Sequence, residues 1–238
     1  MPRIDSHVLY SALHPPEHLS PILTRNRFDG AILIAPTCPA IDNFLGLVVP
    51  VELPAPGLAN LLDQYRAQPK FVGVSFSLDT EIPDGLGELA RRGIPLDLHM
   101  QPRHFPLVER IAEQVPRLVI DHLARPRFAL GLTAEWADGM EAAARCGNVY
   151  CKVSGLLSDP ADTPWTARSI RPFVQHVLSV FGTDRVMFGS EWPACLPAAT
   201  WKETLAAFTQ SIGAHTMETR ERLLGANAQR FYGIQPKA

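Results

Sequence analysis

Side chains able to do chemistry recur in this chain at one kind of place, the carboxyl end of a short apolar run. Asp5 and His7 lie in RIDSHV, His99 in IPLDLHM, His122 in LVIDHLARP, Lys152 and Ser154 in NVYCKVSG, and Glu191 in RVMFGSEW. Histidines and a carboxylate gathered in one mouth can do two kinds of work. They can bind a divalent transition metal that polarises a carbonyl and acidifies water. Alternatively, the carboxylate takes a proton from water while histidines and cations steady the oxyanion. Either route attacks a carbonyl with water. In the second, Glu191 is the base, and His122, helped by His99 and His7, polarises the carbonyl. His7, His99, His122 and Glu191 also formally supply the ligands that a zinc ion needs. Lys152 and Ser154, with Arg103 and Arg125 from adjacent loops, are the candidate substrate-binding groups, since an arginine fork matches a carboxylate at both oxygens.

Plainer readings stand beside these. Lys152 can ion-pair inside the fold with Asp5 or Asp121, and both arginines can be solvated loop residues. His14, His18, His176 and His215 fall on helices or loops and read as packed or solvated. Cys38 and Cys195 reach the same rim, but a cysteine nucleophile needs a base and an electropositive setting, and a free cysteine is usually inert packing. Glu191, held between an apolar strand and Trp192, is expected to be desolvated and therefore more basic than usual.

The elements that must position these residues follow from periodicity. Apolar runs of strand length occupy residues 3–8, 30–35, 45–51, 71–76, 94–100, 118–122, 148–155 and 185–192. Pro50 has to sit at the end of the third, because proline cannot donate to a sheet ladder. Near-continuous apolar runs such as GAILIA fit strands covered on both faces. Helical patterns fill residues 16–27, 59–67, 86–92, 105–114, 132–145, 165–180, 200–212 and 217–224, with a short helical piece after Pro39. Eight strands alternating with helices predict a single-domain (β/α)8 TIM barrel over residues 1–238, whose strand ends crowd one rim. An open doubly wound sheet is the alternative, but it usually carries a glycine-rich phosphate turn, and no such motif occurs.

Bulk properties exclude other classes. A formal charge of −2 and a pI near 6.4 argue against nucleic-acid or anionic-membrane partners. No apolar run reaches the roughly 18 residues of a bilayer span, and the first residues lack a secretory apolar core. Four cysteines without CxxC spacing suit a reduced, cytoplasmic setting. A small molecule is the expected partner, and oligomeric state is left open.

Taken together, IDSH, VIDHLARP, NVYCKVSGL, RVMFGSEWP and NAQRFYGI resemble the amidohydrolase-related (amidohydrolase 2) family, in the branch of 2-pyrone-4,6-dicarboxylate lactonase and L-fuconolactonase. The likeness runs end to end and in order. It implies a barrel hydrolase, most simply a lactonase for a small carboxylated or sugar-derived lactone. His7 takes the place of the first histidine of the family's HxH, His122 that of the histidine after strand six, and Glu191 that of the acid after strand eight. Three positions depart from the family: Leu9 stands for the second HxH histidine, Glu191 for an aspartate, and Ser75 for a common arginine. The lost ligand implies no binuclear centre, and either no cofactor or one weakly bound divalent metal, with zinc the first candidate. Two rival functions remain, a metal-dependent decarboxylase of the same family and a barrel that binds without catalysing.

Overall fold

In the computed structural model, which describes residues 1–37, 42–158 and 166–235, eight strands pair side by side in the order of the sequence, each parallel to the next. They are β1 (Ile4–Leu9), β2 (Gly30–Ile34), β3 (Phe44–Pro50) and β4 (Phe71–Ser77), then β5 (Leu96–His99), β6 (Leu118–Ile120), β7 (Val149–Val153) and β8 (Val186–Phe188). Every residue of β2 and β6 is buried, as continuous apolar runs require when both faces are covered. Pro50 is the last residue of β3, where its missing N–H costs nothing. The expected (β/α)8 architecture is therefore borne out.

The helices between strands are α1 (Ser20–Arg25), α2 (Leu58–Arg66), α3 (Leu86–Arg92), α4 (Phe105–Ala112), α5 (Ala134–Arg145) and α6 (Ala167–Phe181). After β8 come α7 (Trp201–Ile212), α8 (Met217–Glu221) and α9 (Asn227–Tyr232). Threonine marks four of the starts: Thr133, Thr166, Thr200 and Thr216 each accept a main-chain N–H from the first turn. The helical stretch expected over 16–27 divides into a 3-10 turn and α1, and that over 217–224 continues through a π turn into α9. Trp165, Cys38 and most of the short helical piece expected after Pro39 lie outside the described residues.

The sheet closes on itself through β1 and the segment after β8. Leu9 N–H donates to Trp192 O at 2.8 Å and Glu191 N–H to His7 O at 2.9 Å. Ser6 Oγ donates to Phe188 O at 2.6 Å, and Ser190 N–H to the Asp5 carboxylate at 2.9 Å. At the amino-terminal end α9 plugs the barrel: Ala228, Phe231 and Tyr232 pack on Ile4, Ile32, Val48, Val119 and Met187. With the floor sealed by apolar side chains, the polar residues of the upper strands face only the carboxyl-terminal mouth. That is where barrels of this kind carry their sites.

Candidate active site

Beyond Ile120 the backbone leaves the sheet in a left-handed turn. His122, Leu123, Ala124 and Arg125 have φ of 53°, 56°, 58° and 50°, a conformation that costs an L-residue about 1–2 kcal/mol. The surroundings hold it in place. Trp136 Nε1 on α5 donates to Leu123 O at 2.7 Å, Arg125 N–H to His122 O at 2.8 Å, and His122 N–H to Ser154 Oγ at 3.3 Å. Gly155, itself at φ +65°, backs onto the imidazole so closely that a Cβ there would stand 3.0 Å from His122 Cβ. Glu191 is also left-handed, at φ 57°, and Gly189 lets it approach: a Cβ at 189 would fall 2.8 Å from His7 Cβ. Five of the seven left-handed non-glycine residues described are thus at this mouth. Strain placed this way is a mark of side chains that must be aimed.

What is aimed is a compact cluster. His7 and His122 meet edge to face with ring centroids 4.5 Å apart, and His99 lies 5.3 Å from His122. Arg125 spans the group, donating from Nη2 to Glu191 Oε1 at 3.0 Å and from Nε to His99 Nε2 at 2.9 Å. His122 Nε2 stands 3.5 Å from the same Glu191 oxygen. Ser154 Oγ, which accepts the His122 main-chain N–H, sits 2.9 Å from His122 Nδ1. Its hydroxyl hydrogen is therefore available to Nδ1, which leaves the ring proton on Nε2. Burial pushes His122 down to about 3, so the ring is neutral. Burial and the Arg125 charge lower His99 too.

The Glu191 carboxyl corrects one expectation. Burial pushes it up, as anticipated, but the groups around it, Arg125 among them, outweigh burial and hold it below the usual carboxylate range. The sequence reading counted its apolar neighbours along the chain. It could not see a guanidinium arriving from the turn after β6. Glu191 is ionised at neutral pH, with Oε1 engaged by Arg125 and Oε2 buried without a hydrogen-bond partner.

Three candidate substrate-binding residues move away from the cavity. Lys152 is fully buried beneath it, 2.5 Å from Asp97 Oδ2, 3.0 Å from Asp121 Oδ1 and 3.2 Å from His7 Nδ1. Burial lowers its pKa, yet the two aspartates raise it more, so the ammonium persists. Tyr232 of the floor completes this network by donating to Asp97 at 2.7 Å. Ser154 orients His122 and does not line the cavity. Arg103 lies in an exposed turn, bonded to His104 Nε2 and Gln101. His7, His99, His122, Arg125 and Glu191 do line one cavity, of about 360 Å³. Leu9, Val51, Glu52, Ser75, Phe76 and Ser77 line it as well. Cys195 is buried, which pushes its thiol up to about 12 and away from nucleophilic use. Asp97, Tyr232 and Glu52 were not singled out beforehand. The alternation that pairs Asp97 with His99 was a usable signal, whereas nothing local marks a tyrosine that reaches its partner from the last helix.

The family model for amidohydrolases matches residues 24–234. The chain belongs to the amidohydrolase family. An L-fucono-1,5-lactonase of Burkholderia ambifaria is 32% identical over 162 residues, covering 66% of this amidohydrolase and 56% of that protein. The chain therefore spans little more than half of that relative. A second L-fucono-1,5-lactonase, of Burkholderia multivorans, is 28% identical over 79% of this chain and 71% of its own length. In fold, the amidohydrolase superposes on a crystallised amidohydrolase from Burkholderia multivorans with a TM-score of 0.85 and 24% identity, covering 99% of this chain and 100% of the other. A second crystal form of that protein contains zinc and superposes at 0.83.

Among the described residues of this amidohydrolase, one group of donors could hold a metal ion. Donor atoms of His7, Asp121 and His122, all three buried, lie within 4.8 Å of one another. Asp121 Oδ1 is buried with an ionic contact to Lys152 but no hydrogen bond. Of the expected quartet of His7, His99, His122 and Glu191, His7 and His122 belong to this group. His99 and Glu191 already share the Arg125 guanidinium, and a fixed cation there opposes another. Leu9, facing the cavity, offers no donor.

Proposed function

We propose that this amidohydrolase opens small lactones by adding water to the ring carbonyl. The observation that carries the reading is the pairing of an ionised, buried Glu191 with a neutral His122 whose Nε2–H faces the same cavity. The relatives named as lactonases support the same substrate class. Glu191 Oε2, free of protein partners, is the acceptor for a proton of the attacking water. His122 Nε2–H and the unused guanidinium hydrogens of Arg125 steady the negative charge that grows on the carbonyl oxygen. Glu191 then returns the proton to the departing ring oxygen, so that water is added across the ester bond and the opened ring leaves as one hydroxy acid.

With metal present, His7, Asp121 and His122 would hold one divalent ion, zinc by donor type, and a ligating His122 would leave the oxyanion to the ion and to Arg125. When bound, the ion supplies carbonyl polarisation and a more acidic water. Free thiols at Cys146, Cys151 and Cys195 suit a reduced cytoplasmic setting, and no helix among the described residues is long and apolar enough to cross a membrane. The deciding experiment is a lactone screen with and without added zinc, run on the natural protein and on Glu191→Gln. Glu191→Gln keeps the shape and removes the base, so kcat should drop by ~10²–10⁴-fold with little change in substrate affinity. Undiminished turnover in this variant would show that Glu191 is not the base. A chain that hydrolyses no lactone under either condition would defeat the reading as a whole.

A further inference from the structure

One carboxylate in the cavity wall takes no part in the steps above. Glu52 follows β3 by two residues and lines the cavity beside Ser75 and Ser77 at the end of β4. With eight strands in sequential order, β3 stands across the barrel from β7, so Glu52 faces the Arg125 and Glu191 side of the mouth. Glu191, Asp121 and Asp97 each have a cation within 3.0 Å. Glu52 is exposed and makes no ion pair among the described residues.

The balance of charge around the cavity is therefore one-sided. Of the carboxylates that line it, Asp121 has Lys152 beneath it and Glu191 has Arg125, whereas Glu52 has neither. Lys152 is enclosed below by two aspartates, and Ser75 supplies a hydroxyl and no charge. Among the described lining residues a carboxylated ligand would find no cation other than Arg125, already paired with Glu191, and would meet the uncompensated charge of Glu52. A neutral ligand bearing hydroxyl groups would find an acceptor with two oxygens in Glu52 and two further hydroxyls in Ser75 and Ser77.

We infer that Glu52 is the specificity-determining residue of this site, binding the hydroxyl groups of a neutral polyhydroxy lactone and turning away lactones that carry a carboxylate. The inference rests on the lactonase reading and narrows it to one substrate charge. Specificity here comes from a repulsive element as much as from an attractive one.

The test compares kcat/KM for a neutral aldonolactone and for a lactone of the same ring size with a free carboxylate. The natural enzyme should favour the neutral ring by about tenfold or more, with the preference shrinking as salt is raised. Glu52→Asp should keep the preference, Glu52→Gln should lose most of it, and Glu52→Lys should reverse it. For the neutral lactone, Glu52→Gln should raise KM and leave kcat nearly unchanged. Because position 52 is exposed, none of these variants threatens the core. Turnover with a ratio insensitive to position 52, or equal use of both lactones by the natural enzyme, overturns this inference alone. Absence of turnover with every lactone overturns the lactonase reading and this inference with it.

Discussion

Arg125 sets the working state of two of its neighbours, because one guanidinium serves both Glu191 and His99. Its charge helps hold the Glu191 carboxyl below the ordinary range, and the ionised form is the one that accepts a proton. Activity should therefore be present above that lowered pKa and disappear as pH falls through it. Arg125→Gln removes the charge, raises the Glu191 pKa, and should move the acid limb of kcat/KM to higher pH. His122, neutral down to about 3, should add no inflection between pH 5 and 8. The pH profile of the variant checks this, and an unmoved acid limb would mean that Arg125 does not tune the base. At this scale the sequence was informative about position and poor about partners. His7, His99, His122 and Glu191 could be found because each ends an apolar run. The charge state of Glu191 could not be read, because Arg125 reaches it from 66 residues away. Lys152 carried the same strand-end signature as the histidines, yet it points into the barrel at Asp97 and Asp121.

The element on which the site depends most is the left-handed turn from His122 to Arg125. Four strained residues cost several kcal/mol together at about 1–2 kcal/mol each, and Trp136 anchors the main chain of the turn at Leu123 O. Trp136→Phe keeps the ring packing against Phe173 and leaves the buried Leu123 carbonyl without its donor. An unsatisfied buried acceptor costs about 1–3 kcal/mol, which denaturant unfolding should register. If the turn relaxes, kcat should fall more than KM rises, through misplacement of His122 and Arg125. A variant as stable and as active as the natural protein would show that the turn holds without the tryptophan. Strands and helices were legible because alternation, threonine caps and prolines all mark them. Nothing in the residue types of HLAR announces left-handed backbone, since none is glycine, and its stability comes from α5 and β7.

Across the whole molecule, the sealed floor and the open mouth are joined by one polar column. Tyr232 donates to Asp97, Asp97 holds Lys152, and Lys152 reaches Asp121 and His7. Burying two carboxylates and an ammonium is tolerable only while all remain paired. Lys152→Met should therefore leave Asp97 and Asp121 uncompensated and destabilise by about 3–5 kcal/mol. Tyr232→Phe should cost less, about 1–3 kcal/mol, because Asp97 keeps its lysine. Equilibrium unfolding of both variants tests the ranking, and a smaller loss for Lys152→Met than for Tyr232→Phe would contradict it. The eight-fold alternation of the barrel was readable from the sequence, but this column was not. It depends on the last helix folding back beneath the first strands.

The seam that closes the sheet is built from the site itself. Glu191 N–H bonds to His7 O, and Ser190 N–H bonds to the Asp5 carboxylate across 185 residues of chain. This is the strand pairing with the greatest sequence separation in the sheet, and closing so long a loop carries the largest entropic cost. Base and histidine are brought together by the same hydrogen bonds that turn an open sheet into a ring. A partly folded chain with seven strands in order would hold most of the core and none of the chemistry. Catalysis is then a property of the completed circle, and an active molecule is one whose first and last strands have met.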